Sequence, residues 1–240
     1  MKNMMNKKNT RSGSALQLRA IALAAATTLA LCASGSASAQ SAGTWSVAAG
    51  INDIAPQGTS GALSAPSIPN STTKVSSDAQ LLVDVSYMIT DNFGAEFGLG
   101  TPYKHNLSGA GSLQGAGQIG TLKQLPPTLF GQYHFLDAQS PFRPYVGLGI
   151  TYAMFYDEQG SGTLTAISNT GGTPATFTVD NKWGITPELG FEYAFNQHWF
   201  VDALIAKTFI KTTVHLNPGG QSADATLNPN VSSIVIGYRF

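Results

Sequence analysis

Cysteine is almost missing: the 240 residues contain one, Cys32. It stands behind Leu31, where a lipobox carries Gly, Ala or Ser, so lipid attachment there is not indicated. With no second thiol there is no disulfide, and the fold must be held by strand pairing and burial. Also missing, beyond residue 40, is any apolar run of the 18 to 20 residues or so that a transmembrane helix needs. A membrane span, if there is one, must therefore be made of strands. Positive charge is scarce in the same part. Five of the thirteen Lys and Arg, and none of the thirteen Asp and Glu, lie before residue 40; eight basic residues then face thirteen acidic ones, a net charge of −5. That balance excludes nucleic acid as a natural partner.

The five early cations, Lys2, Lys7, Lys8, Arg11 and Arg19, precede a short apolar run from Ala20 to Leu31 and the small-residue site Ala37-Ser38-Ala39. A basic start, a short apolar stretch and an A-x-A site make a secretory signal peptide. Residues 1–39 are expected to be removed, leaving 40–240 as one domain.

What remains alternates. Eight segments bounded by turn residues have period-2 patterning, the mark of strands with one apolar face. They run approximately over 44–51, 77–89, 93–101, 121–135, 142–156, 181–195, 199–211 and 225–240. The last is the clearest: Ile234, Ile236, Tyr238 and Phe240 share one face, and Val235, Gly237 and Arg239 the other. Connections alternate long and short, the long ones rich in Gly, Ser and Thr. Aromatics gather beside the short turns: Tyr87, Phe93, Tyr133, Phe135, Phe142, Tyr193, Phe195, Trp199, Tyr238 and Phe240. Short inner turns, long outer loops and an aromatic girdle predict an all-β protein, an eight-stranded antiparallel transmembrane β-barrel of the Gram-negative outer membrane. A soluble lipocalin-like barrel would place its apolar rows inside. Here Asp84, Glu96, Arg143, Glu188, Glu192, Asp202 and Arg239 fall opposite the apolar rows, which favours the membrane form.

Several segments resemble the OmpW family of outer-membrane proteins: Val75-Ser76-Ser77-Asp78, Thr90-Asp91-Asn92-Phe93-Gly94, Thr101-Pro102-Tyr103-Lys104-His105, Lys123-Gln124-Leu125-Pro126-Pro127-Thr128, Phe142-Arg143-Pro144-Tyr145-Val146-Gly147, Phe155-Tyr156-Asp157-Glu158 and Gly237-Tyr238-Arg239-Phe240. The resemblance implies an eight-stranded barrel that passes small hydrophobic compounds through the outer membrane. Long Gly/Ser/Thr stretches near 108–118 and 159–176 depart from the pattern.

The inner face is read residue by residue. Glu96, His134, Arg143, Glu192, Asp202 and Arg239 would form a charged periplasmic floor, with Arg143 paired to Glu96 or Glu192. Leu82, Phe130, Phe155, Leu204, Ile210 and Val231 would line an apolar path nearer the outside. The alternative is an interior simply filled with side chains, as small barrels have. A solute stopped by the floor must leave sideways, and Pro126, Pro127 and Pro187 are the gap candidates because proline removes a ladder donor; they could equally mark bends only. Lys74, Lys104, Lys123, Lys182, Lys207 and Lys211 fall on the outer side, where lipopolysaccharide phosphates lie. The C-terminal strand would be offered to the barrel-assembly machinery. No metal site, cofactor or enzyme activity is expected: His105 with Ser108 is the nearest approach to a catalytic pair, in a loop and without a flanking motif. Passive transport of small hydrophobic molecules is the first functional reading, and a structural or adhesive barrel acting through its outer loops is the second.

Overall fold

The computed structural model describes residues 40–65, 67–168 and 172–240; the expected signal peptide lies outside them. The described part carries fourteen strands and one short helix. In order they are β1 (Trp45–Ala55), β2 (Ser71–Val75), β3 (Asp78–Met88), β4 (Phe93–Gly100), β5 (Tyr103–Gly111), β6 (Gln118–Leu125), β7 (Thr128–His134), β8 (Phe142–Gly160), α1 (Gly162–Ser168), β9 (Thr176–Val179), β10 (Lys182–Ala194), β11 (Trp199–Lys207), β12 (Lys211–Asn217), β13 (Ser222–Thr226) and β14 (Asn230–Arg239).

Eight of these close on themselves, all antiparallel, in the order β1-β3-β4-β7-β8-β10-β11-β14 and back to β1. The outward rows are apolar and uncovered. Trp183 is 68% exposed, Ile205 62%, Leu148 61% and Ile234 58%. Such a belt is intolerable in water and suits hydrocarbon. Its lower edge is ringed by touching aromatics: Trp45 with Tyr87, Phe93 with Tyr133, Phe142 with Phe191, Tyr193 with Phe195, and Tyr238 with both Trp199 and Phe240. Its upper edge carries Tyr152 against Trp183 at 4.6 Å. From Phe142 to Tyr152 the strand climbs about 33 Å, which at a tilt of about 40° is about 25 Å of bilayer, the height of an outer-membrane apolar band.

The long connections are not loops, and this corrects the sequence reading. Above the membrane the chain goes on pairing. β2, β5, β6 and the upper half of β8 form one wall, and β13-β12-β9 form another. Residues 57–64 join them: Ser60 donates to the Thr73 carbonyl at 3.0 Å, and Ser64 to the Ser222 carbonyl at 2.9 Å. On the far side the Val179 N–H reaches the Glu158 carboxylate. The expected fourth strand, 121–135, is two strands, parted at Pro126-Pro127. His105 and His215, expected in loops, lie in β5 and β12.

Inward glycines admit large side chains from neighbouring strands. A Cβ at Gly237 would strike the Phe200 ring, and one at Gly190 the Tyr145 ring. Phe200 in turn lies under the Arg239 guanidinium, 4.7 Å away, so the absent Cβ is what seats that cation.

Candidate functional site: a stacked lumen with an interrupted wall

The lumen is layered. At the periplasmic end Arg239 pairs with Glu192, and Gln40 bridges Glu192 and Arg143: its amide donates to Glu192 at 3.3 Å and accepts from Arg143 at 2.8 Å. The predicted acid partner for Arg143 is not there. Its guanidinium instead donates to the carbonyls of Gln40 and Asp91, at 3.1 and 2.6 Å. Five donors in a fixed fork suit a fan of carbonyls at a turn as well as a carboxylate; Glu192, level with Arg143 in the β8–β10 register, is taken by Arg239, and Glu96 stands higher. Glu96 accepts from Ser86 at 3.0 Å, Asp202 from Tyr145 at 3.0 Å and Glu188 from Gln132 at 2.9 Å; His134 meets Gln132 at 3.2 Å. The space left among these groups is about 20 Å³, room for a single water and nothing larger.

Above them a row of hydroxyls crosses β7, β8 and β10 and ends just past β11, Thr128 to Thr151 at 2.9 Å, Thr151 to Thr186 at 2.7 Å and Thr186 to Thr208 at 3.0 Å. There the lumen opens into a middle chamber of about 70 Å³ whose lining includes Leu82, Phe130, Leu204, Ile210 and Val231. Phe155 lies elsewhere. It belongs to a separate outer chamber of about 100 Å³, walled by the extramembrane strands and by residues such as Leu107, Leu122, Phe177 and Leu216. α1 contributes Leu164 to that core. A chamber so lined favours an apolar guest. Sequence reasoning missed it because its strands are short and broken by glycine; the alternations Tyr103-His105-Leu107 and Val214-Leu216 were the available signal.

The wall is interrupted beside the middle chamber. Gly98 is paired with Thr128 across β4 and β7, and Tyr103 with Gln124 across β5 and β6. Between those pairs residues 99–102 and 125–127 have no partner across the seam. Their remaining bonds point away from it, Thr101 N–H to the Leu81 carbonyl and the Pro127 carbonyl to Tyr152 N–H. Neither Pro126 nor Pro127 has a donor to offer, so sequence itself prevents closure. Gly98, Gly100, Pro126 and Thr128 line both seam and chamber. Pro187 is different. It faces outward opposite Leu148 in continuous β8–β10 pairing, and on its other side it removes a single rung, with Glu188–Ala206 below and an Ile185–Phe209 bridge above.

The six lysines stand on the outer strands or outer strand ends, Lys123 against Asp157 at 2.8 Å and Lys182 against Asp180 at 3.2 Å. His105 is engaged by the Ser76 carbonyl and the Gln124 amide. Among the described residues no cluster of His, Cys, Asp or Glu is arranged to hold a metal.

A closed eight-stranded barrel with a lipid-facing belt, two aromatic rims and a polar lumen is an outer-membrane protein. Comparison with known proteins agrees: the profile of the OmpW family matches residues 41–240, and the chain belongs to that family. It is 35% identical to Outer membrane protein W of Escherichia coli over 232 residues, 93% of this chain and 99% of that one. The crystal structure of the outer membrane protein OprG from Pseudomonas aeruginosa superposes with a TM-score of 0.75 at 30% identity, over 84% of this chain and 98% of the other. A more distant relative, 29% identical over 72% of this chain and 77% of its own length, is the dibenzothiophene metabolism operon protein PahQ of Pseudomonas aeruginosa.

Proposed function

We propose that this barrel passes small hydrophobic molecules from the cell surface into the outer membrane. The solute enters the outer chamber, descends to the middle chamber and leaves through the seam at Pro126-Pro127. The observation that carries this reading is that the long break in the wall among the described residues opens on the middle chamber, whose lining is mostly apolar with Asp84 and Glu96 at its base, and not on the Arg239–Glu192 pair and Arg143 below. The floor supports it from below: with about 20 Å³ free, an apolar molecule gains nothing by going further and loses its burial among ions. That a relative is named for a dibenzothiophene operon fits a water-insoluble solute. The filled floor is also what a structural or adhesive barrel acting through its outer loops would have, and that is the second reading.

In the same scheme residues 1–39 are cleaved as the signal peptide, the strand ending at Phe240 is presented to the assembly machinery, and the outer lysines meet lipopolysaccharide phosphates. The barrel carries out no covalent chemistry.

Phe155→Asp tests the conduit. Phe155 is buried in the outer chamber, and a carboxylate there holds water where a solute must shed it. Uptake of naphthalene by cells carrying wild type, Phe155→Asp or an empty vector, normalised to folded barrel, is expected to fall to the vector level in the variant. Equal uptake by all three removes the transport reading and leaves the structural one.

A further inference from the structure

The outer and middle chambers are separated by a buried polar collar. Asn52 donates to the Tyr103 hydroxyl at 2.7 Å. One turn of side chains higher, His105 meets the Gln124 amide at 3.1 Å and the Ser76 carbonyl at 2.7 Å. All four side chains are buried, Tyr103 and His105 to within 1% of complete. Gln124 lines both chambers, and Tyr103 with Gln124 is the first strand pair above the seam. Gly100 makes room for the phenol: a Cβ there would come within 3.0 Å of its hydroxyl. The collar therefore stands between the apolar entrance and the exit.

Its chemistry discriminates. A plain hydrocarbon moving past must part these hydrogen bonds and offer nothing in exchange, leaving buried donors and acceptors unmet. A molecule of similar size with one hydroxyl or carbonyl replaces a bond as it breaks one. A site built to hydrogen-bond a polar group penalises the analogue that lacks it.

Resting on the conduit reading above, we propose that Asn52, Tyr103, His105 and Gln124 determine specificity, and that the favoured solutes are apolar molecules carrying a single alcohol, aldehyde or ketone, in preference to bare hydrocarbons.

The test is uptake of labelled 1-decanol and decane, each corrected for an empty-vector strain and for folded barrel. Wild type is expected to favour the alcohol by about tenfold, the worth of one unmet buried polar group. Asn52→Leu with Tyr103→Phe removes one hydrogen-bonded pair without leaving an orphan, and is expected to bring the ratio near one by raising decane flux. Gln124→Leu, on the other strand of the seam, is the second variant should the first assemble poorly. An alcohol-to-alkane ratio that is the same in wild type and in whichever variants assemble overturns the collar and leaves the conduit intact. Absence of both fluxes in wild type overturns the conduit and the collar with it.

Discussion

The floor and the outer chamber are both buried, yet opposite forces hold them. In the floor, charge is met by charge, carbonyl, hydroxyl or amide, and the two cations are locked by geometry: Arg239 by Glu192 and by the Phe200 ring, Arg143 by a fan of carbonyls. In the outer chamber, aliphatic and aromatic side chains from five or more separate segments are packed together with space left over. Removing one ion strands its partner, a large and local loss; removing one methyl cluster widens a cavity already there, a smaller loss. One end of the barrel is built to stay shut, and the other to accommodate.

Breaking that contrast begins at the floor. Glu192→Ala leaves the Arg239 guanidinium buried without its acid and is expected to cost about 3–5 kcal/mol, read as a lowered urea midpoint for heat-modifiable migration in lipid. An unchanged midpoint would mean that water reaches the floor and that the two ends are alike. Leu216→Ala in the outer chamber is expected to cost about 2–3 kcal/mol, the low end for a buried leucine, because a cavity is already present. The loss should appear as faster hydrogen exchange in β12 and β13 while the membrane barrel keeps its midpoint; a matching shift of the barrel would show the two layers to be one cooperative unit.

The smallest effect sharpens the comparison from outside. Lys123 and Asp157 form an exposed pair on the outer wall, and the hydrogen bond from Lys123 holds the Asp157 carboxyl below its usual range. A depressed carboxylate pKa contributes stability above the unfolded value, about 3.9, and loses it as the pH falls below that. Screened by solvent, Lys123→Gln should leave assembly and the urea midpoint at neutral pH where they were. A measurable loss would mark the pair as part of a wider charged network.

Much of this was readable in the chain. Rows such as Ile234-Ile236-Tyr238 and Leu148-Ile150-Tyr152 repeat with period two over a full bilayer height, and lipid-facing residues need no partner to be recognised. So the strand count, the direction of the rows and the inner girdle follow from sequence. Arg143 shows where reading stops. That it faces inward is set by its own strand, but what it touches depends on the stagger of strands across the lumen and on the turn carbonyls beneath. The outer walls were hidden for another reason. Gly, Ser and Thr dominate 159–176, 217–226 is mostly small or polar, and inward positions in both are often small, as at Ala175, Ala223 and Ala225, so hydrophobic alternation is faint where the chain nonetheless pairs. Pro126-Pro127 was legible as a break, yet its importance comes from Thr101-Pro102, which breaks the facing strand at the same height.

Residues 57–64 have a consequence beyond joining two walls. Without them β2 and β13 would each present a free row of N–H and C=O groups at the cell surface, where any extended peptide could add itself as a further strand. By occupying both rows, that segment closes those two edges to strand addition. A foreign epitope is then better grafted on turn tips such as 112–117 and 218–220, and an insertion within 57–64 should bare the β2 and β13 edges and promote self-association.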